Sequence, residues 1–557
     1  MMDSYRVQLW GRTDPFLIGV LQFPPPAKFN MHYLRKMATY VRTRPGEQCY
    51  PRLYWSMWRH IACGKLQLVE DTAWLYFEAF HSLTERNAPR SLEWAETVCS
   101  CTSMDEYERV RSKLSVDTHQ FLLFLYIQQI NKVSLRTSLI GEEWPSPRVR
   151  SPTPDLVGQS NFHNKNWDEY SHHAFIQNHM SYLLELLLDP DQLTKSSHST
   201  HCSLVSLEAA QALGFLIEGT LNKNRTIHSF IDLALYQPLQ ARNGYSKTTE
   251  SFSLKKLQAW IKECFALNPF GMSACIKSGR KLAWAQPIDV SNRRAKIVCN
   301  IYKVPRGNHM VIMSHISRQT LAKSSETLVE ARVKINHCTE SYIYLLSPLR
   351  CVTIEKCRNS TIILGPVQTV LHVQMCDHVK VISVCQRLSL SSTTSCTFHV
   401  LTPTRPLLFS GNQGAVFAPF HTHYSMLEDH MGQTGLATVP NYWDRPQFLS
   451  AETDHQAWKL MSPREFYTFV VPFEIEGDTT EIPGGLPPVF LKSMEQRQQK
   501  VQMWQKTVKE AKLTREQRKQ FQALVEYKFN EWLLKTGNRH QLDSLVPPND
   551  GTNQAAG

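Results

Sequence analysis

The sequence predicts a chain of mixed α and β structure, with a central parallel β-helix flanked by a mainly α-helical N-terminal region and by C-terminal helices. Three observations carry this. Short β-branched runs recur about every twenty residues from position 330 to about 420. Patches with helical periodicity occupy most of the first 285 residues, and helical spacing returns after 488. With 557 residues, 42% of them hydrophobic and 20% charged, the chain is long enough for several cores and has a globular composition.

The N-terminal region, 1–140, contains the helical patch Thr72 to Phe80. It also contains His119 to Leu135, which is apolar nearly all round and therefore reads as a buried helix. Prolines and polar residues between 141 and 170, such as Trp144-Pro145-Ser146-Pro147, break any period and predict a loop or linker. Helical signals resume over 171–285, with Tyr182 to Leu188 ending at Asp189-Pro190, and with Ser206 to Leu213.

The β-helix is predicted over 300–435. Its lines are Val333-x-Ile335-x-x-Cys338, Val352-x-Ile354-x-x-Cys357 and Leu371-x-Val373-x-x-Cys376, then Leu388-x-Leu390 followed after a longer gap by Cys396. The four cysteines lie 19, 19 and 20 residues apart, and Ile343, Ile362, Val381 and Leu401 each follow one by five residues. A degenerate fifth line is Leu407-x-Phe409-x-x-Asn412, then Phe417. Alternation buries one face of each strand, and a coil this short can bury it only against its neighbours. Cys338, Cys357, Cys376 and Cys396 are thereby predicted to form an inward ladder of small apolar filler, not a metal site.

An extended linker is predicted over 436–487 and basic helices over 488–538. Thr514 to Gln517 fits a capping box, and Phe521, Leu524, Val525, Phe529, Trp532 and Leu533 recur at helical spacing. The tail, 539–557, is expected to be disordered. The formal net charge is +12, and residues 491–540 hold 12 Lys or Arg against 5 Glu. That balance suits an acidic partner without choosing among nucleic acid, lipid and protein.

The N-terminus lacks a secretory pattern, no apolar run is long enough to span a bilayer, and 14 Cys occur without a CxxC pair. These features predict a cytosolic protein with reduced thiols and no membrane span. The sequons at Asn224 and Asn359 are then chance matches. No phosphate loop, dinucleotide fingerprint, GxSxG elbow or HExxH is present, so the common enzyme classes lose support and no cofactor is expected. His421, His423 and His430, like Cys99-Ser100-Cys101, lack the framework of a metal site.

The sharpest candidate is Cys385-Gln386-Arg387-Leu388-Ser389. With Leu388 and Leu390 inward, strand parity sends Arg387 and Ser389 outward on one face, predicted to meet solvent. Together with the coils and the exit through Phe417, Pro419, Phe420 and Tyr424-x-x-Leu427, this segment resembles the tubulin-binding cofactor C family over about 305–435. Ser138 to Pro145, Asn268 to Gly271 and Glu476 to Pro483 extend the resemblance to nearly the whole chain. It implies a right-handed parallel β-helix of the C-CAP/cofactor C-like type. In catalytic members a Cys-Gln segment ends in an arginine finger that enters the GTPase site of tubulin or an Arf-like protein, and here that position is Ser389.

The resemblance implies partner-binding roles for Gln386, Arg387, Ser389, Phe417, Pro419 and Tyr424. It further implies a cytoskeletal adaptor at centrosomes, spindle poles or basal bodies that positions centrosome and Golgi and so influences cell shape and migration. Catalysis is not expected, since a hydroxyl cannot replace the cation. One alternative is a GTPase activator using Arg387, about 6.6 Å along the strand from Ser389. A second is a nucleic-acid binder working through 491–540.

Overall fold

The structure is a computed structural model describing residues 6–44, 50–85, 87–131, 167–189, 203–221, 226–285, 295–300, 308–449, 456–472, 483–536 and 539. Most of the loop or linker predicted over 141–170, nearly all of the tail, the segment Ser138 to Pro145 and Asn224 lie outside these. The chain divides into two compact units. One draws on Met1–Arg86 and Ser100–Ser278, the other on Asn87–Cys99, Gly279–Ile301 and Arg306–Gly557.

The first unit is built round an aromatic core. Every residue of the helix Thr118–Ile127 except Gln120 is buried, as its nearly unbroken apolar run requires, and Asp117 caps it by accepting from the Gln120 N–H at 2.8 Å. Phe121 packs against Trp58 at 4.9 Å and Phe80 at 5.2 Å between ring centroids. Short antiparallel strands stitch this unit together. Val7–Gly11 pairs with Ile217–Leu221, so the two helical stretches of the sequence share one core. The periodicity of the sequence signals the helices but not these strands of a few residues.

The second unit contains the β-helix. Its first wall stacks the strands Met310–Ser314, Ala331–Asn336, Leu349–Glu355, Val367–Gln374, the end of Lys380–Ser391, Leu407–Leu408 and Gln447–Phe448, all parallel. Its second wall stacks Thr320–Lys323, Tyr342–Leu345, Thr361–Leu364, the start of Lys380–Ser391, Thr397–Leu401, Ala415–Pro419 and Trp458–Leu460. Coils therefore continue into the segment read as an extended linker, where Gln447–Phe448 and Trp458–Leu460 form further rungs. Their brevity hides them, because two or three residues show no alternation.

A repeating corner joins the walls. Two residues with positive φ stand three apart in each coil: His315 and Arg318, His337 and Glu340, Lys356 and Asn359, Met375 and His378, Ser392 and Ser395, Gly411 and Gly414. Only the last pair is glycine, the residue that adopts this region freely. Elsewhere the strain is offset by coil-to-coil hydrogen bonds, such as His337 N–H to the Glu355 carbonyl and Lys356 N–H to the Gln374 carbonyl, at 3.1 and 3.2 Å.

Between each pair of corner residues stands the ladder position. The register brings Ile316, Cys338, Cys357, Cys376, Thr393 and Asn412 into one column, each preceding a residue of the bridged series Ser317, Thr339, Arg358, Asp377, Thr394 and Gln413. Cys396 is not its fourth rung. It pairs beside Val379 in the neighbouring column, because this coil is shorter and Thr393 occupies the corner. Likewise Phe398, not Leu401, continues the column of Ile343, Ile362 and Val381. All four cysteines are nevertheless buried in the bore. Burial pushes the Cys396 thiol up to about 11 and raises that of Cys376, as expected of neutral packing groups.

Candidate partner-facing wall

The outward face of the first wall carries the Cys-Gln segment. Val333, Ile335, Val352, Ile354, Leu371, Val373, Leu388 and Leu390 fill the bore. Parity therefore turns Lys334, Thr353, His372 and Ser389 outward, and the register aligns those four in one row across adjacent strands. Alternation slips at the bend in Lys380–Ser391, where Cys385 and Leu388 both point in and Gln386 and Arg387 both fall outside the bore.

The predicted direction of Arg387 and Ser389 holds, but their predicted exposure does not. Gln386 is 6% exposed, Arg387 5% and Ser389 2%. Thr353, His372 and Gln374 on the same face are also buried. Parity reports which way a side chain points; it carries no information about what lies over it. The Gln386 carbonyl accepts from the Thr404 hydroxyl at 2.8 Å, and its side-chain nitrogen is buried without a hydrogen-bond partner among the described residues.

An ion pair sits in this wall. Lys334 Nζ lies 2.9 Å from Glu355 Oε2, with both side chains close to nine-tenths buried. Burial works to raise the Glu355 carboxyl, but Lys334, with Lys356 and His337 beside it, holds the group below the usual carboxylate range. Sequence reasoning missed Lys334, Thr353, Glu355 and His372 as members of this surface. The signal was available, since each alternates with a bore residue.

The exit residues belong to cores. Phe417 lies in the bore with its ring 5.6 Å from Phe398, and Pro419 is buried in the adjoining strand Ala415–Pro419. Tyr424 is 4% exposed, and its hydroxyl is 2.9 Å from His430 Nδ1. Burial raises the Tyr424 phenol and lowers His430, so this contact is a neutral hydrogen bond. Tyr424, Leu427, Met431 and Leu436 cover Tyr344, Ile363, Ile382 and Val384 on the outer side of the second wall. The helix Leu427–Thr434 thus closes that wall, ending at Gly435 with φ +69°. Phe417, Pro419 and Tyr424, expected to meet a partner, pack within the chain's own cores and do not stand at its surface. Among the described residues no three His, Cys, Asp or Glu converge as a metal site would require, His421 and His430 included.

Comparison with known proteins matches this geometry. The family model described as tubulin binding cofactor C matches residues 330–448, from the second coil to the last rung of the first wall. The chain is similar along its whole length to proteins named TBCC domain-containing protein 1. It is 68% identical to that of Xenopus tropicalis over 98% of this chain and 100% of the relative. It is 64% identical to that of Homo sapiens over 100% of both, and 51% identical to that of Danio rerio over 98% of this chain and 95% of the relative. With a cofactor C β-helix in its second unit and full-length relatives at this identity, the chain belongs to the TBCC domain-containing protein 1 family.

Proposed function

We propose that this chain is a non-catalytic cytoskeletal adaptor, engaging tubulin or an Arf-like GTPase through the cofactor C β-helix. In this reading it acts at the centrosome, spindle pole and basal body, and positions centrosome and Golgi, with cell shape and migration following. The supporting observation is Ser389. Where catalytic members of the family carry an arginine, this chain holds a 2% exposed hydroxyl, which cannot neutralise charge on a transferring phosphoryl group. Arg387, at 5% exposure, is poorly placed to substitute for a protruding finger.

The test is GTP hydrolysis by tubulin and by an Arf-like protein with the purified full chain. Unchanged hydrolysis with retained binding supports the adaptor. Acceleration that disappears in Arg387→Ala would replace it with a GTPase activator.

A further inference from the structure

The two C-terminal helices expose what the rest of the second unit buries. Pro488–Glu510 begins docked: Phe490 is 6% exposed, with its ring 5.2 Å from Phe466 and 5.9 Å from Trp443. Arg497 then donates to the Phe466 carbonyl at 2.8 Å and lies 4.0 Å over the Tyr467 ring. Past Arg497 the helix leaves its support. The apolar stripe begun by Phe490 and Met494 nevertheless continues through Val501, Trp504 and Val508.

Thr514 caps the second helix, Arg515–Thr536, through the box predicted from sequence. Its hydroxyl accepts from Gln517 N–H at 3.3 Å, and its own N–H donates to Gln517 Oε1 at 3.0 Å. This helix carries a stripe of Phe521, Leu524, Val525 and Phe529. The two stripes meet near the connection, where the Trp504 and Phe521 rings are 5.9 Å apart. Away from that contact Val501 is 42% exposed, Leu524 56%, Val525 43% and Phe529 52%. A contiguous apolar surface of this kind on a soluble-type helix pair marks an interaction site.

We propose that these paired stripes form a docking groove for an acidic amphipathic helix of another protein. Charge selects the occupant. Residues 491–540 hold 12 Lys or Arg against 5 Glu, and Glu531 alone serves both Lys528 at 2.9 Å and Lys535 at 2.7 Å. A second copy of the chain would bring the same excess of positive charge to the contact and be repelled. Shape separates a helix from an anionic lipid surface. A membrane requires one apolar face turned outward, whereas contact between Trp504 and Phe521 turns part of each stripe toward the other helix, which suits a third helix laid against the pair.

The probe is a fluorescein-labelled helical peptide with leucine at its a and d positions and Glu at e and g, titrated with the full chain and followed by anisotropy. Its counterpart has Lys in place of every Glu. The acidic peptide should bind, the basic one at least about tenfold more weakly, and binding should weaken as salt is raised. Leu524→Ser with Phe529→Ser should remove binding while circular dichroism stays unchanged. Lys528→Glu with Lys535→Glu should narrow the preference for the acidic peptide. Equal affinity for both peptides overturns the proposal. So does binding to vesicles of phosphatidylcholine and phosphatidylserine without binding to the acidic peptide, or sedimentation as a dimer that Leu524→Ser dissolves.

Discussion

The coil stack and the C-terminal helices, both in the second unit, handle apolar side chains in opposite ways. In the stack Leu371, Val373, Leu388 and Leu390 have essentially no exposure, and each coil's backbone is hydrogen-bonded to the next. In the helices Leu524 and Phe529 remain about half exposed although each helix satisfies its own backbone. A strand repeat must find its partner within the chain, because an unpaired edge leaves donors and acceptors unmet. A helix carries its hydrogen bonds internally and can keep its apolar stripe for another molecule.

The difference is sharpest in side-chain truncation. Leu371→Ala should cost about 3 to 4 kcal/mol in chemical denaturation, because the bore cannot collapse round the gap. Leu524→Ala in the free protein should stay within about 0.5 kcal/mol. A loss of comparable size at both sites would erase the contrast.

Next in size is the ion pair of the first wall. Lys334→Ala should cost about 2 to 3 kcal/mol, less than a fully buried pair because some solvent reaches it. Lys334→Met combined with Glu355→Leu should recover most of that loss. The same pair gives the stack an acid limit. The Glu355 carboxyl is depressed in the folded state, so its contribution is present above the unfolded value near 4.3 and disappears as pH falls through the lower folded value. Denaturation midpoints of wild type and Glu355→Gln should therefore converge in acid and diverge toward neutral pH.

The smallest effect belongs to the corners. A Cβ at Gly414 meets nothing closer than 3.8 Å, so Gly414→Ala should cost only the positive-φ penalty, about 1 kcal/mol. A cost several times larger would mean that this corner is held by more than its backbone.

Much of the β-helix was legible because alternation and the recurrence of Val-x-Ile-x-x-Cys report burial directly. Spacing misleads where a coil changes length. The spacing of Cys396 points to the ladder, whereas Thr393 stands at that position. Parity misleads where outward is equated with exposed, at Arg387 and Ser389, and the exit motif misleads where Phe417 and Tyr424 pack inside the chain's own cores. The capping box at Thr514 was readable since its two hydrogen bonds join residues three apart.

By itself the amino-acid order determined that coils would stack and which residues would line their bore. Those outcomes depend on local period and side-chain chemistry. Only the tertiary structure decided that Ser389 and Arg387 would be covered, that Tyr424 would pack beneath its own helix, and that the apolar stripes after Arg497 would stay open. Cover depends on surface brought from distant parts of the chain, and no pattern within a strand or helix encodes it.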